Sequence, residues 1–294
     1  MKRYNMAINL AFMLLLMLTP SVVYASSNSN ISEFEECYRE GESKGIIKDG
    51  NISKDTFVEM CKESVFPAYL EAVKTDPTLT FEQFVADDNY EVPFQKKNDH
   101  PEVVTAEGSG RTAVGPFVNF ISASKSYKMK AGDILICYGT GSSGRLVGHA
   151  AMATSANYII EMPGNYRKIK GNSWRSHNAR VVSKASFFKS HTKGKDYVAV
   201  YRNNHPIYSY SDRASTYAYR YMYKKDNPYY KITSNIFEKS PSYCSKYVVL
   251  AYYWGATKKS WGGGHRVGII PPHQLPSYFS DSFVPSYKYK VTSY

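Results

Sequence analysis

Short apolar runs of strand length crowd the middle of this chain, while helical periodicities lie mostly to either side, and that segregation limits the fold. Asp133 to Tyr138, Leu146 to Ala153, Tyr158 to Met162 and Val198 to Tyr201 are rich in apolar residues and bounded by glycine or polar residues, as strands are. Phe117 to Ile121 is a further candidate. Ahead of them, Ile31 to about Lys44 reads as helix. Behind them, Arg213 to Tyr223 places Ala214, Tyr217, Ala218 and Tyr221 along one side. Elements grouped this way, with no internal repeat, predict an α+β fold.

Residues 1–25 carry Lys2 and Arg3, an apolar run from Ala7 to Leu18 and a small-residue site ending at Ala25. The run is too short to span a bilayer, and the pattern is that of a secretory signal peptide. No later segment is apolar for long enough to cross a membrane, so the expectation is a secreted or wall-associated protein without a transmembrane segment. Residues 28–88 read as a helical module. Ser53 caps a helix with Phe57, Cys61 and Val65 on one face, Pro67 should kink or end it, and Thr80-Phe81-Glu82-Gln83 has capping-box spacing. A docking lobe, a pro-segment and a wall-binding element all fit this module. Residues 89–115, polar and broken by Pro and Gly, read as a linker, and 116–294 as the main domain.

The formal net charge of +12 falls by two with the loss of Lys2 and Arg3 and stays basic. In an exported protein this suits anionic wall polymers or membrane surfaces, although a merely solvated basic surface explains it equally well. No nucleic-acid motif is present. The 27 tyrosines, concentrated beyond Tyr197, offer apolar rings with polar tips. Four cysteines are too few for a disulfide scaffold. An exported setting permits a Cys37–Cys61 bond within the helical module, which would leave Cys244 free.

Several chemistries fail on context. Gly139-Thr140-Gly141-Ser142-Ser143-Gly144 matches a dinucleotide pattern, but a strand follows it where a helix is needed to face pyrophosphate. The seven histidines show no H-E-x-x-H or paired C-x-x-C spacing, so no metal or other cofactor is expected. No G-x-S-x-G elbow is present.

Cys244 heads the stretch Cys244 to Gly255, with Val248, Ala251 and Tyr252 on the same helical stripe. The first turn of a helix presents unpaired N–H groups and the positive dipole end, an address that favours thiolate over thiol and suits attack on a carbonyl. Cysteine is also a common small core residue, so the stretch alone leaves both readings open. His149 lies in a strand of small residues, and Glu161 is an acid in an apolar run, where burial without a partner is expensive. A loop of three or five residues around Ser155 puts both on one face of the sheet; a two-residue loop separates them. Together, Glu161 can fix the His149 tautomer and His149 can pair with Cys244, the logic of a catalytic triad.

Gly132-Asp133-Ile134-Leu135, the glycine loop, Gly148-His149-Ala150-Ala151, Glu161 and, much later, Tyr243-Cys244-Ser245 resemble the permuted papain-like, NlpC-type cysteine hydrolases, the YiiX-like group especially. The resemblance covers roughly Pro116 to Ser280, including Ile269-Ile270-Pro271-Pro272 as a closing segment. It implies a permuted papain-like fold, a small antiparallel sheet or barrel packed on helices. It also implies Cys244 as nucleophile, His149 as general base, Glu161 as its orienting residue and a structural role for Gly132-Asp133. Tyr243 stands where many NlpC-type enzymes have Asp, and the N-terminal module lies outside the resemblance. The expected activity is a thiol amidohydrolase or peptidase acting on an amide bond, in first place a peptidoglycan stem peptide. An acyl or lipid hydrolase or acyltransferase on the same site is the alternative, and an inert basic wall-binding protein the third. Tyr243, Tyr138 and Trp174 are the candidate substrate-binding residues; Trp174 would serve equally as core.

Overall fold

The computed structural model of the chain describes residues 27–48, 52–73, 77–87, 89–107, 110–112, 122–123, 126–139, 148–164, 178–205, 209–262 and 269–294. The expected signal peptide, the Phe117–Ile121 run, most of the glycine loop and Trp174 lie outside these residues.

The N-terminal helices are α1 (Ser27–Ser43), α2 (Lys54–Met60), α3 (Phe66–Val73) and α4 (Phe81–Asp87). Ser53 Oγ accepts the Thr56 N–H at 3.3 Å and Thr80 Oγ1 the Gln83 N–H at 3.2 Å, so both sequence caps form. Helix does not stop near Pro67. It passes through a π-type stretch, Cys61–Val65, directly into α3, and the wider turns accommodate the N–H that proline lacks. Phe34, Cys37, Phe57, Cys61, Val65, Phe81 and Phe84 form one apolar cluster between these helices. The Cys37–Cys61 bond is absent: both are free thiols that fill this cluster as small apolar groups. Burial, with the nearby Glu33 charge, pushes the Cys37 thiol up to about 12. Cys61 goes higher, chiefly through burial.

The strands are β1 (Glu102–Val104), β2 (Gly110–Thr112), β3 (Ser122–Ala123), β4 (Ile134–Tyr138), β5 (His149–Ala153), β6 (Tyr158–Glu161), β7 (Arg180–Ser183), β8 (Tyr197–Arg202) and β9 (Ser286–Val291). They form one sheet in the order β3-β2-β1-β9-β8-β4-β5-β6-β7, antiparallel throughout except for β1 beside β9. With helices grouped outside it, the architecture is mixed α+β. The expected linker, 89–115, supplies β1 and β2 to this sheet. Among the described residues the remaining α-helices are α5 (Lys184–His191), α6 (Tyr210–Tyr217) and α7 (Cys244–Gly255). No helix among the described residues is long and apolar enough to cross a membrane.

Both faces of the central strands are buried. Ile134, Ile136, Ala150, Met152 and Ile160 pack into a cluster shared with α6 and α7. Leu135, Cys137, Ala151, Ala153 and Ile159 pack with Phe187 and Phe188 of α5. The period-two alternation of strand side chains sorts the residues between these cores. Asp133 closes the start of β4: its buried carboxylate accepts from Arg202 Nε at 2.6 Å, Arg202 Nη2 at 2.7 Å, Tyr127 Oη at 2.7 Å and the Lys130 N–H at 2.9 Å. A buried carboxylate with four donors is structural, the role expected for Gly132-Asp133.

Candidate functional site: a buried Cys–His–Glu constellation

Helix α7 begins at Cys244 and is pinned at both ends. Tyr243, its extended N-cap, has no capping side-chain bond; its hydroxyl instead accepts the Ile270 N–H at 2.8 Å. Lys246 Nζ donates to the Pro241 carbonyl at 2.8 Å and Ser245 Oγ to that of Ile270. At the far end Tyr252 donates its hydroxyl to the Gly132 carbonyl beside β4. Every residue from Cys244 to Tyr252 is buried, so the helix is central and carries more than the single apolar stripe its periodicity implies.

His149 is the first residue of β5 and follows Gly148, whose φ of +70° turns the chain into the strand. A Cβ on Gly148 would come within 2.3 Å of His273 Nε2, so glycine is required there on two counts. Residues β5 and β6 pair Ala151 with Glu161, Met152 with Ile160 and Ala153 with Ile159. That even register puts His149 and Glu161 on one face as diagonal neighbours. Their side chains meet: His149 Nε2 lies 2.7 Å from Glu161 Oε2, both residues being 2% exposed. Cys244 is the other group that acts on His149, raising its ring together with Glu161. Since Nε2 is committed to Glu161, Nδ1 is the nitrogen left for sulfur. Of the two arrangements the spacing leaves open, the hairpin thus adopts the one that brings His149 and Glu161 together.

Burial alone would push the His149 ring down, but its hydrogen bonds to Cys244 and Glu161, and the charges of both, outweigh it and raise the ring to about 9. Glu161 shows the mirror image: burial works to raise it, and the His149 bond, with the charges of His149, Arg180 and His191, holds it down at about 2. The sequence did not point to two further neighbours. Arg180 of β7 donates Nε and Nη2 to Glu161 Oε1, each at 2.7 Å. His191, the last residue of α5, stacks on His149 with ring centroids 5.4 Å apart, and its Nε2 sits 3.9 Å from Glu161 Oε2. Burial and the charge of His149 push His191 down to about 4, so it stays neutral beside the charged pair.

His149, Glu161 and His191 offer ligand atoms within 4.8 Å of one another, the makings of a cation site. The closest two of these atoms already share a 2.7 Å hydrogen bond, and Arg180 holds the carboxylate's other oxygen. The chain's own protons and guanidinium thus commit the acid. The remaining predicted residues lie differently. Tyr243 is wholly buried with its hydroxyl on Ile270, and Tyr138 is also buried, its ring 3.9 Å from that of His273. Tyr138 does line a cavity of about 830 Å³ between the N-terminal helices and the sheet, along with Glu91, Tyr197 and Lys290.

Fold and site together define an α+β protein whose sheet and late helix bring a cysteine, a histidine and a carboxylate into one buried group, the last two hydrogen-bonded to each other. Residues 111–294 match the family described as lipoprotein N-acylation protein LnsA-like, and the chain belongs to that family. It is a family of hydrolase or acyltransferase type, related to the YiiX and papain-like groups. An uncharacterized 30.3 kDa protein of Bacillus thuringiensis is 26% identical over 272 residues, covering 89% of this chain and 90% of that protein. No solved structure matches.

Proposed function

We propose that this protein transfers or releases an acyl group at an amide or ester of a lipid, through a thioester on Cys244. The observation that carries the reading is the buried Cys244–His149–Glu161 line, with the imidazole bonded to the acid and its ring raised by both the acid and Cys244. Cys244 Sγ, its proton taken up by His149, attacks the acyl carbonyl, and the developing oxyanion meets the N–H of Cys244 at the head of α7. His149 passes its proton to the leaving oxygen or nitrogen. It then takes a proton from the incoming amine or water as the thioester is cleaved. Glu161, ionised and braced by Arg180, keeps the imidazole oriented through both steps and stabilises its charged form whenever the ring holds the second proton.

A permuted papain-like chain order, histidine strand first and cysteine helix last, agrees with this reading. A peptidoglycan stem-peptide amidase would use the same three groups. The lipid substrate is preferred because the family's own description is of lipoprotein acylation. The apolar run at residues 7–18 supports a place outside the cytoplasm, where such substrates are anchored. The test is direct. The purified chain is incubated with phospholipid or a diacylated lipopeptide and, in parallel, with purified cell wall, and Cys244 is examined by mass spectrometry for a hydroxylamine-labile acyl adduct. An adduct with lipid that is lost in Cys244→Ala supports the proposal; full turnover by Cys244→Ala, or turnover of wall alone, rejects it.

A further inference from the structure

The helix packed against α7 leaves one face in water, and that face has a distinctive composition. α6 and the π-type turns that continue it over Ala218–Asp226 bury Ala214, Ala218 and Met222. The opposite crest carries Thr216, Arg220 and Lys224, all exposed. A row of tyrosines flanks the crest on each side: Tyr217 stacks on Tyr221 at 5.1 Å, and Tyr219 meets Tyr223 at 5.9 Å. Lys224 Nζ sits 5.7 and 5.4 Å from the rings of the second row. Tyr219 and Tyr221 nevertheless stay 38% and 50% exposed. The surface continues onto the end of α7. Gly255 fits against Tyr217, and the neighbouring Trp254 is exposed with Lys258 Nζ 4.8 Å over its ring.

From Asp212 to Lys239 there are six Lys and Arg against three acids, Asp212, Asp226 and Glu238. One of those acids, Asp226, is already paired with Lys239 at 3.6 Å. The basic end of the ridge adjoins the constellation. Asn227, just past it, accepts from the Ala179 N–H at 3.0 Å and donates to the Ala179 carbonyl at 3.3 Å; the next residue, Arg180, holds Glu161. Tyr230 forms a bridge with Ser242, two residues before Cys244.

We infer that this tyrosine-flanked basic ridge docks the protein on an anionic lipid bilayer, setting the Cys244 end of α7 at headgroup level. Lysine and arginine near such a surface are attracted to its charge, and tyrosine and tryptophan rings settle at the boundary between headgroup and chain. A soluble polyanion would satisfy the cations but leave the rings in water. The choice of a bilayer rests in part on the lipid substrate of the proposed function, whose acyl chains remain in the membrane.

The experiment is vesicle binding by the full chain in the Cys244→Ala background, so its outcome is independent of whether acyl transfer occurs. Vesicles of phosphatidylglycerol with phosphatidylcholine are compared with phosphatidylcholine alone. Binding is expected to favour the anionic vesicles, and Arg220→Glu/Lys224→Glu/Lys225→Glu is expected to weaken it roughly a hundredfold. Lys48→Glu/Lys62→Glu/Lys97→Glu makes the same change in net charge at exposed positions elsewhere and is expected to leave binding within about threefold, because separated charges are screened. The N-terminal apolar run is common to all variants, so only differences are read, among proteins with matched thermal midpoints. Brominated lipid should quench a fluorescence component that Trp254→Phe removes. No preference for anionic vesicles, equal loss in the two triple variants, or an unquenched Trp254 would overturn the inference. So would ridge-dependent binding to a soluble wall polymer without binding to vesicles.

Discussion

Replacing Glu161 by Gln removes one charge from the buried line at nearly constant volume, and the depressed carboxyl sets the scale of the loss. The Glu161 carboxyl is held at about 2 against an ordinary 4.5, a depression worth about 3 kcal/mol of stability. Because the folded value is the lower one, that stability is present above pH 4.5 and disappears as pH falls through about 2. The same hydrogen bond helps raise His149 to about 9 from 6.5, so its contribution is present below pH 6.5 and is lost as pH rises through about 9. One bond stands behind both shifts and is counted once. At pH 7, Glu161→Gln should therefore cost about 3 kcal/mol, roughly 6–12 °C in thermal midpoint. At pH 10 His149 is neutral in wild type as well, leaving the Glu161–Arg180 pair as the remaining ionic partner, while the neutral imidazole N–H can bond the side-chain carbonyl of the Glu161→Gln variant as it bonds the acid. With the Arg180 side chain 42% exposed, that pair is worth about 1 kcal/mol or less. Urea unfolding of both proteins at the two pH values reads the difference directly, since every other titrating group is common to them. A deficit of the same size at pH 7 and pH 10, or none at pH 7, would refute a charged His149–Glu161 pair.

His191→Phe should flatten the acid limb of the stability curve. Wild type loses about 3 kcal/mol as pH falls from 6.5 through about 4, because the folded protein holds His191 neutral while the unfolded chain takes up a proton. Denaturant titrations at pH 7 and pH 4 check this, and an unchanged slope in the variant counts against it. Tyr243→Phe leaves the buried Ile270 N–H unpaired and should cost about 1–3 kcal/mol with no change in substrate KM; a raised KM at unchanged stability would return Tyr243 to a substrate-contacting role. Gly148→Ala should cost more than about 1 kcal/mol and impair turnover, since a Cβ at φ +70° meets both backbone strain and the His273 ring. A thermal midpoint within one degree of wild type would contradict the close packing at that turn.

The elements legible in the sequence are those whose signals are local. The Ser53 and Thr80 caps, the β4, β5, β6 and β8 runs and the start of α7 at Cys244 depend on neighbours a few residues away. Strand β7 gave no clear signal, because Arg180–Ser183 is only partly buried; Ser286–Val291 alternates Tyr with Lys, a period-two strand pattern easily lost in a Tyr-rich polar tail. Missing β7 and α5 concealed Arg180 and His191, the outer partners of Glu161. β1 was hidden in a stretch dominated by Pro, Gly and charge, and its pairing with β2 and with the distant β9 makes it a strand. Tyr243 looked available from its position before Cys244, yet the distant Ile270 N–H draws its hydroxyl inward.

By itself the chain determined which side chains could share a face, since strand parity and helix phase are properties of consecutive residues. His149 and Glu161 were bound to one side of the sheet once their hairpin took an odd-numbered loop, and Cys244 was bound to the head of a helix. Tertiary structure alone decided that thiol, imidazole and carboxylate would touch, and that a guanidinium and a second imidazole would close around the acid. Those contacts join residues up to 95 positions apart (Cys244 and His149), and their strength comes from the exclusion of water, which no single segment can achieve.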